Sequence, residues 1–161
     1  MTEKAATTQV YRIVIKASAQ AIWDAIAKPE WTERYGYEGR VQYDLKPGGK
    51  YHHGASPNMK AVGLPDAVVV GEVFESDPPR KLVQTWHPLF TPDMIAEPPT
   101  RLTYEIQEGN GVCTVTIIHD VTGAPLVGGM VKGGGDPAKG GGGWPWVLSD
   151  LKSLLETGKR M

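Results

Sequence analysis

A chain of 161 residues and 17.5 kDa, 40% hydrophobic, can bury a core as one domain without a metal or disulfide to staple it. Its 17 basic and 18 acidic residues are interspersed and leave a net charge of -1, so no basic stripe is available for the phosphates of a nucleic acid. The single cysteine, Cys113, excludes an internal disulfide, and no apolar run has the length of a membrane span or a signal core; the expectation is a cytoplasmic protein with no nucleic-acid or membrane partner.

Residues 1–8 are polar and expected to be disordered. Val10 to Lys16 then sets Tyr11, Ile13 and Ile15 against Val10, Arg12 and Val14, the period of two that marks a first strand. Ser18 can cap a short helix, AQAIWDAIA, in which Ala19, Ile22, Trp23 and Ile26 share a face and which Pro29 ends. The following EWTERYGYEG has Gly36 and Gly39 too close together for a long helix and reads as a turn with a short helical piece.

From Val41 the period is two again. Val41 to Leu45 and Lys50 to Gly54 flank Lys46-Pro47-Gly48-Gly49, a hairpin turn, and Ala67 to Glu75 and Lys81 to His87 flank Asp77-Pro78-Pro79. Arg101 to Gln107 turns through Glu108-Gly109-Asn110-Gly111 into Val112 to Val121, which puts Leu102, Tyr104 and Ile106 on one face with Cys113, Val115 and Ile117. A polar loop with Pro57, Met59 and Pro65, and a Pro-rich loop, HPLFTPDMIAEPPT, separate these pairs.

Residues 128–143 hold nine glycines in sixteen positions and read as a flexible linker, either a mobile gate over a cavity mouth or a plain spacer. Lys139 is followed by glycines, so the stretch is not a phosphate loop, which needs Gly-Lys-Ser/Thr opening a helix. The last segment, GWPWVLSDLKSLLETG, is a helix: at about 100° per residue Trp144, Val147, Leu148, Leu151, Leu154 and Leu155 fall in an arc of roughly 120°. Pro145 suits its first turn and Gly158 its end, while Trp146 projects from the opposite side. The whole is an α+β design, a six- or seven-stranded antiparallel sheet with short helices after the first strand and one long C-terminal helix, forming a single domain over residues 1–161.

Histidines are the first functional candidates, because imidazole works as acid, base or ligand near neutral pH. If Tyr51 points inward, His53 shares its face and His52 points to solvent; His119 extends the inward row of Cys113, Val115 and Ile117, and His87 lies opposite Trp86. The competing reading for each is a hydrogen-bonded or exposed histidine at a strand end. Nothing in the spacing converges three or four ligands, so no metal and no cofactor is expected. Cys113 has no base beside it in sequence and reads as a core or cavity-wall thiol, and Asp24, Glu33, Glu72 and Glu105 do not pair as acid and base. Most of the aromatic set is core, but Trp and Tyr carry a polar handle that suits an amphipathic cavity wall, and Trp31, Tyr51, Trp86 and Tyr104 are the candidates for one.

The strings IWDAIAKPEWTERY, DLKPGGKYHHG, GEVFESDPPRKLVQTWHP, RLTYEIQEGNGVCTVTIIHD and GWPWVLSDLKSLLETG, in that order, resemble the START-like or helix-grip superfamily (SRPBCC), in the branch named after the activator of the heat-shock-protein 90 ATPase. The resemblance implies a curved sheet wrapped around the last helix and a cavity between them that in relatives accepts lipids, sterols, polyketides or other apolar molecules. It carries no universal catalytic motif, so no catalytic residue is expected. The linker before the last helix, often helical in relatives, is here glycine-rich, and the separate N-terminal domain of the eukaryotic co-chaperones is not in this sequence.

The leading expectation is binding of an apolar or aromatic small molecule between sheet and C-terminal helix, with Trp31, Tyr35, Tyr51, His53, Trp86, Tyr104, His119, Trp144 and Leu148 around it. One alternative is a polyketide cyclase- or dehydratase-like enzyme in which His53, Tyr104 or His119 moves protons. The other is a stress-response interaction protein, co-chaperone-like or a homodimer that covers Trp146.

Overall fold

In the computed structural model, which describes residues 7–139 and 141–161, the period-two segments form one sheet. Its strands are β1 (Thr8–Ile15), β2 (Val41–Tyr43), β3 (Lys50–Gly54), β4 (Ala67–Asp77), β5 (Lys81–Pro88), β6 (Thr100–Gly109) and β7 (Val112–Asp120). All neighbours are antiparallel, and the order β1-β7-β6-β5-β4-β3-β2 makes the first strand the neighbour of the last. The sheet has seven strands, the larger of the two expected numbers.

Of the residues expected to be disordered, 1–6 lie outside the described residues. Thr8, by contrast, is in β1 opposite Asp120, and the Thr7 carbonyl accepts from Val121 N–H at 2.8 Å. Pairing carries one apolar face across every strand boundary. Ile13 and Ile15 lie opposite Val115 and Cys113, Ile106 and Tyr104 opposite Val115 and Ile117, and Leu102 opposite Gln84. Burying that face is the main reason for the helices that lie on it.

Helices α1 (Ala19–Ala27) and α2 (Pro29–Thr32) follow β1, with the Ser18 hydroxyl accepting from Ala21 N–H as its position foretold. Three further helices stand where loops are expected: α3 (Pro57–Ala61), α4 (Pro92–Ala96) and α5 (Pro125–Lys132). Each opens on a proline at a first-turn position, where the missing N–H costs nothing, so residues that read as loop punctuation are helix starts. Ser56 and Thr91 cap α3 and α4, and the Glu97 carboxylate accepts from Leu126 and Val127 N–H at 2.9 and 3.0 Å to cap α5.

The last helix, α6 (Gly143–Thr157), buries Trp144, Leu148, Leu151 and Leu154 and ends on Gly158 in the left-handed conformation. The stretch before it departs from a featureless linker, since residues through 132 are helical. Beyond α5, Gly135 N–H donates to Gly141 O at 2.8 Å, and a Cβ on Gly133 would sit 2.6 Å from Gly142 O. These glycines allow two backbone segments to touch. Trp146 is half-buried within its own chain, its ring 2.8 Å from where a Gly141 Cβ would be, so it is not the bare ring that an isolated helix would present.

Leu151 is 2% exposed in the common core. Leu151→Ala should cost about 2–5 kcal/mol in urea unfolding, whereas Ser149→Ala on the exposed side of the same helix should stay within about 0.5 kcal/mol.

Candidate functional site

Where the sheet curves away from the start of α6, side chains do not fill the space, and a cavity of about 410 Å³ remains. The sheet contributes His53 from β3, Val68 and Val69 from β4, Trp86 from β5 and Tyr104 from β6. The helices add Ile26, Thr32, Met59, Met130, Val131, Trp144 and Val147, and Phe90 joins them from the segment after β5. Tyr35, Gly36, Tyr37, Glu38 and Gly39 form a turn along one side, with Gly142 and Gly143 beside it. Tyr37 and Glu38 are exposed while Tyr35 and Trp144 are buried, so this turn is the rim and the aromatic rings are the interior.

A hydrogen-bonded relay fixes the deepest wall. Trp144 Nε1–H donates to His119 Nδ1 at 3.0 Å, and His119 Nε2 lies 2.7 Å from Thr100 Oγ1, whose hydroxyl donates to Trp86 O at 2.6 Å. Indole nitrogen is only a donor, so Nδ1 must be the acceptor and the proton must sit on Nε2. The neutral imidazole thus has both nitrogens satisfied, and burial lowers its pKa from 6.5 to about 4 against a smaller upward pull from Asp120. Trp86 meets His119 edge-on at 5.3 Å between ring centroids, and Tyr104 meets Trp144 edge-on at 6.1 Å.

The rim is anchored from α6. Asp150, wholly buried, accepts from Gly36 N–H, Arg160 Nη2 and Met161 N–H, each at 2.8 Å. Arg160 also pairs with Glu38 and donates to Gly36 O at 2.9 Å. Across the mouth, the Tyr37 hydroxyl is 3.9 Å from where a Gly142 Cβ would be, just before α6.

Of the nine residues expected around a ligand, Tyr35, His53, Trp86, Tyr104 and Trp144 come together on the cavity and four do not. Tyr51 lies flat beneath Gly71, where a Cβ would clash with its ring, so that its hydroxyl reaches Thr85 O at 2.6 Å; it stacks on Tyr43 at 4.8 Å as part of the floor. His119 stands behind Trp144 in the relay. Leu148 is core one turn further along α6, and Trp31, half-buried against the core beneath the Arg34 guanidinium at 4.6 Å, is off the lining, where Thr32 stands instead. Met59, Phe90 and Met130 were missed because they sit on short or aperiodic segments; an apolar residue among polar loop residues was the only available sign.

Among the described residues no group of three or more His, Cys, Asp or Glu side chains is placed to hold a metal, and no helix is long and apolar enough to cross a membrane. Cys113 lies in the core with its thiol pKa raised by burial and by Glu108, so it is not an activated nucleophile.

Residues 16–156 match the family model described as "Activator of Hsp90 ATPase homolog 1-like protein". No curated protein matches the sequence. Among solved structures, protein MLL2253 from Mesorhizobium loti is 16% identical, with 92% of this chain and 96% of that one covered at a TM-score of 0.66. The Aha1 dimer from Colwellia psychrerythraea is 16% identical over 94% of this chain and 98% of its own, at 0.64. CalU16 from Micromonospora echinospora is 16% identical over 94% of this chain and 77% of its own, at 0.63. At these identities the likeness is one of fold.

His53 is also pushed from 6.5 to about 4, by burial first and by His52 second. In the unfolded chain both His53 and His119 would take a proton near pH 6.5, and in the folded chain only near 4, so acid favours unfolding. Urea midpoints should be level above neutrality and fall as the pH drops from about 6.5 to about 4. NMR should find these two imidazoles still neutral at about pH 5.5; two charged rings there would contradict the burial described.

Proposed function

The chain belongs to the Activator of Hsp90 ATPase homolog 1-like family, and from that premise we propose that it binds an apolar or aromatic small molecule in the cavity between its sheet and C-terminal helix. The observation that carries the reading is the cavity itself. Its volume of about 410 Å³ lies within the range of ligand pockets, and its walls are aliphatic and aromatic with a few polar groups set among them. Tyr35, His53, Trp86, Tyr104 and Trp144 are the proposed ligand contacts from the aromatic set, with Val147 and Met130 closing the sides.

Binding is favoured over a cyclase-like reaction by the state of the imidazoles. A histidine lowered to about 4 is a weak base at neutral pH, and His119 has both ring nitrogens occupied by Trp144 and Thr100. A cytoplasmic location belongs to the same reading, since its lone thiol is buried and unpaired.

Trp86 and Trp144 form part of the wall, so ligand entry reports on itself. Titrating an uncharged bicyclic or tricyclic aromatic should quench tryptophan fluorescence saturably and raise the melting temperature. Met130→Trp, at a half-exposed lining position, should fill the pocket and weaken binding at least about tenfold while the fold is kept. Non-saturable quenching, or binding that ignores Met130→Trp, would sink the proposal.

A further inference from the structure

The cavity offers hydrogen bonds and almost no charge. Among the described residues no lysine or arginine lines it, and the one formally charged lining residue is Glu38 on the rim. The Tyr35 hydroxyl donates to Ala25 O at 2.8 Å and is thereby occupied. His53 and Tyr104 make no side-chain hydrogen bond among the described residues. Yet among the described residues the only sealed side-chain nitrogen or oxygen atoms lacking a partner are Ser76 Oγ and Gln84 Nε2. The unpaired atoms of His53 and Tyr104 are therefore not sealed off, and both residues line the pocket.

Neutral imidazole and phenol each donate one hydrogen bond and accept another, so both can serve a ligand hydroxyl or carbonyl. Burial keeps them uncharged at neutral pH, His53 lowered and Tyr104 raised. A carboxylate entering the same space would shed its water and find no cationic side chain on the lining to answer it, the Glu38 and Arg160 charges at the rim being already paired with each other.

We propose that this cavity selects uncharged aromatic molecules bearing a hydroxyl or carbonyl, held by Tyr104 and His53, and rejects the corresponding carboxylates. The inference rests on the cavity being a ligand site, and three probes of one ring shape separate the two claims: 2-naphthol, 2-methylnaphthalene and 2-naphthoate, each titrated calorimetrically into the full chain at neutral pH. We expect 2-naphthol to bind at least about threefold tighter than the hydrocarbon, and 2-naphthoate at least about tenfold weaker than 2-naphthol. In the double variant Tyr104→Phe, His53→Leu the naphthol-to-hydrocarbon ratio should fall to near one, and Met59→Lys, which brings a cation to the wall, should strengthen naphthoate binding about tenfold. Naphthoate binding as well as naphthol would overturn the charge selection and leave the ligand site standing. Naphthol binding no better than the hydrocarbon would overturn the role of Tyr104 and His53. Saturable binding by none of the three would remove the ligand site and this inference together.

Discussion

A carboxylate placed on the inward side of a helix has to be answered by donors, and Asp150 is answered by two backbone N–H groups and a guanidinium. Those donors come from Gly36, far away along the chain, and from Arg160 and Met161, just past the end of the helix. One buried charge therefore ties α6 to the turn over residues 36–39 and to the residues beyond its own end. Because Arg160 also holds Glu38 and Gly36 O, helix and rim have a single register with respect to each other. The cavity has a defined mouth because its edge is hydrogen-bonded to the helix that roofs it.

A second constraint works from below. Trp144 can only donate, so it dictates the tautomer of His119, and His119 in turn commits Thr100 to Trp86 O. The relay holds two large rings upright at the back of the cavity without using a charge. On the floor, Gly71 leaves room for Tyr51 to lie across the sheet and reach Thr85 O, with Tyr43 stacked over it and donating to Gln84 Oε1 at 2.8 Å. Tyrosine hydroxyls are thus consumed by the scaffold where the rings pack flat, whereas Tyr104, on the cavity lining, makes no side-chain hydrogen bond among the described residues.

Period and punctuation made most of the fold legible. Strand alternation set the faces correctly from Tyr11 to His119, because a two-residue period leaves no freedom once one face is buried. Short helices were not legible: Pro57, Pro92 and Pro125 signal both a loop and a helix start, and five to eight residues give no periodicity to decide between them. Of the nine residues named for the cavity, five line it and four do not. Which way Tyr51 leans depends on a glycine twenty positions away, and whether Trp31 or Thr32 faces inward depends on how a one-turn helix is rotated. Asp150 was invisible as an anchor, since a lone acid in an amphipathic helix looks like any solvated one.

The pairing of β1 with β7 carries a kinetic consequence. Strands β2 to β7 join through successive hairpins and connecting loops, contacts that a chain can close locally. Thr8 opposite Asp120 and Ile15 opposite Cys113 are contacts of another order, since the whole meander lies between them. Topology of this kind slows folding, because the long loop must close before its pairing is rewarded. The expected order is meander first, with β1 and α6 docking late and together, as the bonds from Lys152 to Val14 O and from Lys16 N–H to Glu156 suggest. Until that step the apolar face and the rear of the future cavity are open to water, and a nascent chain would carry its first strand unpaired until β7 has been made.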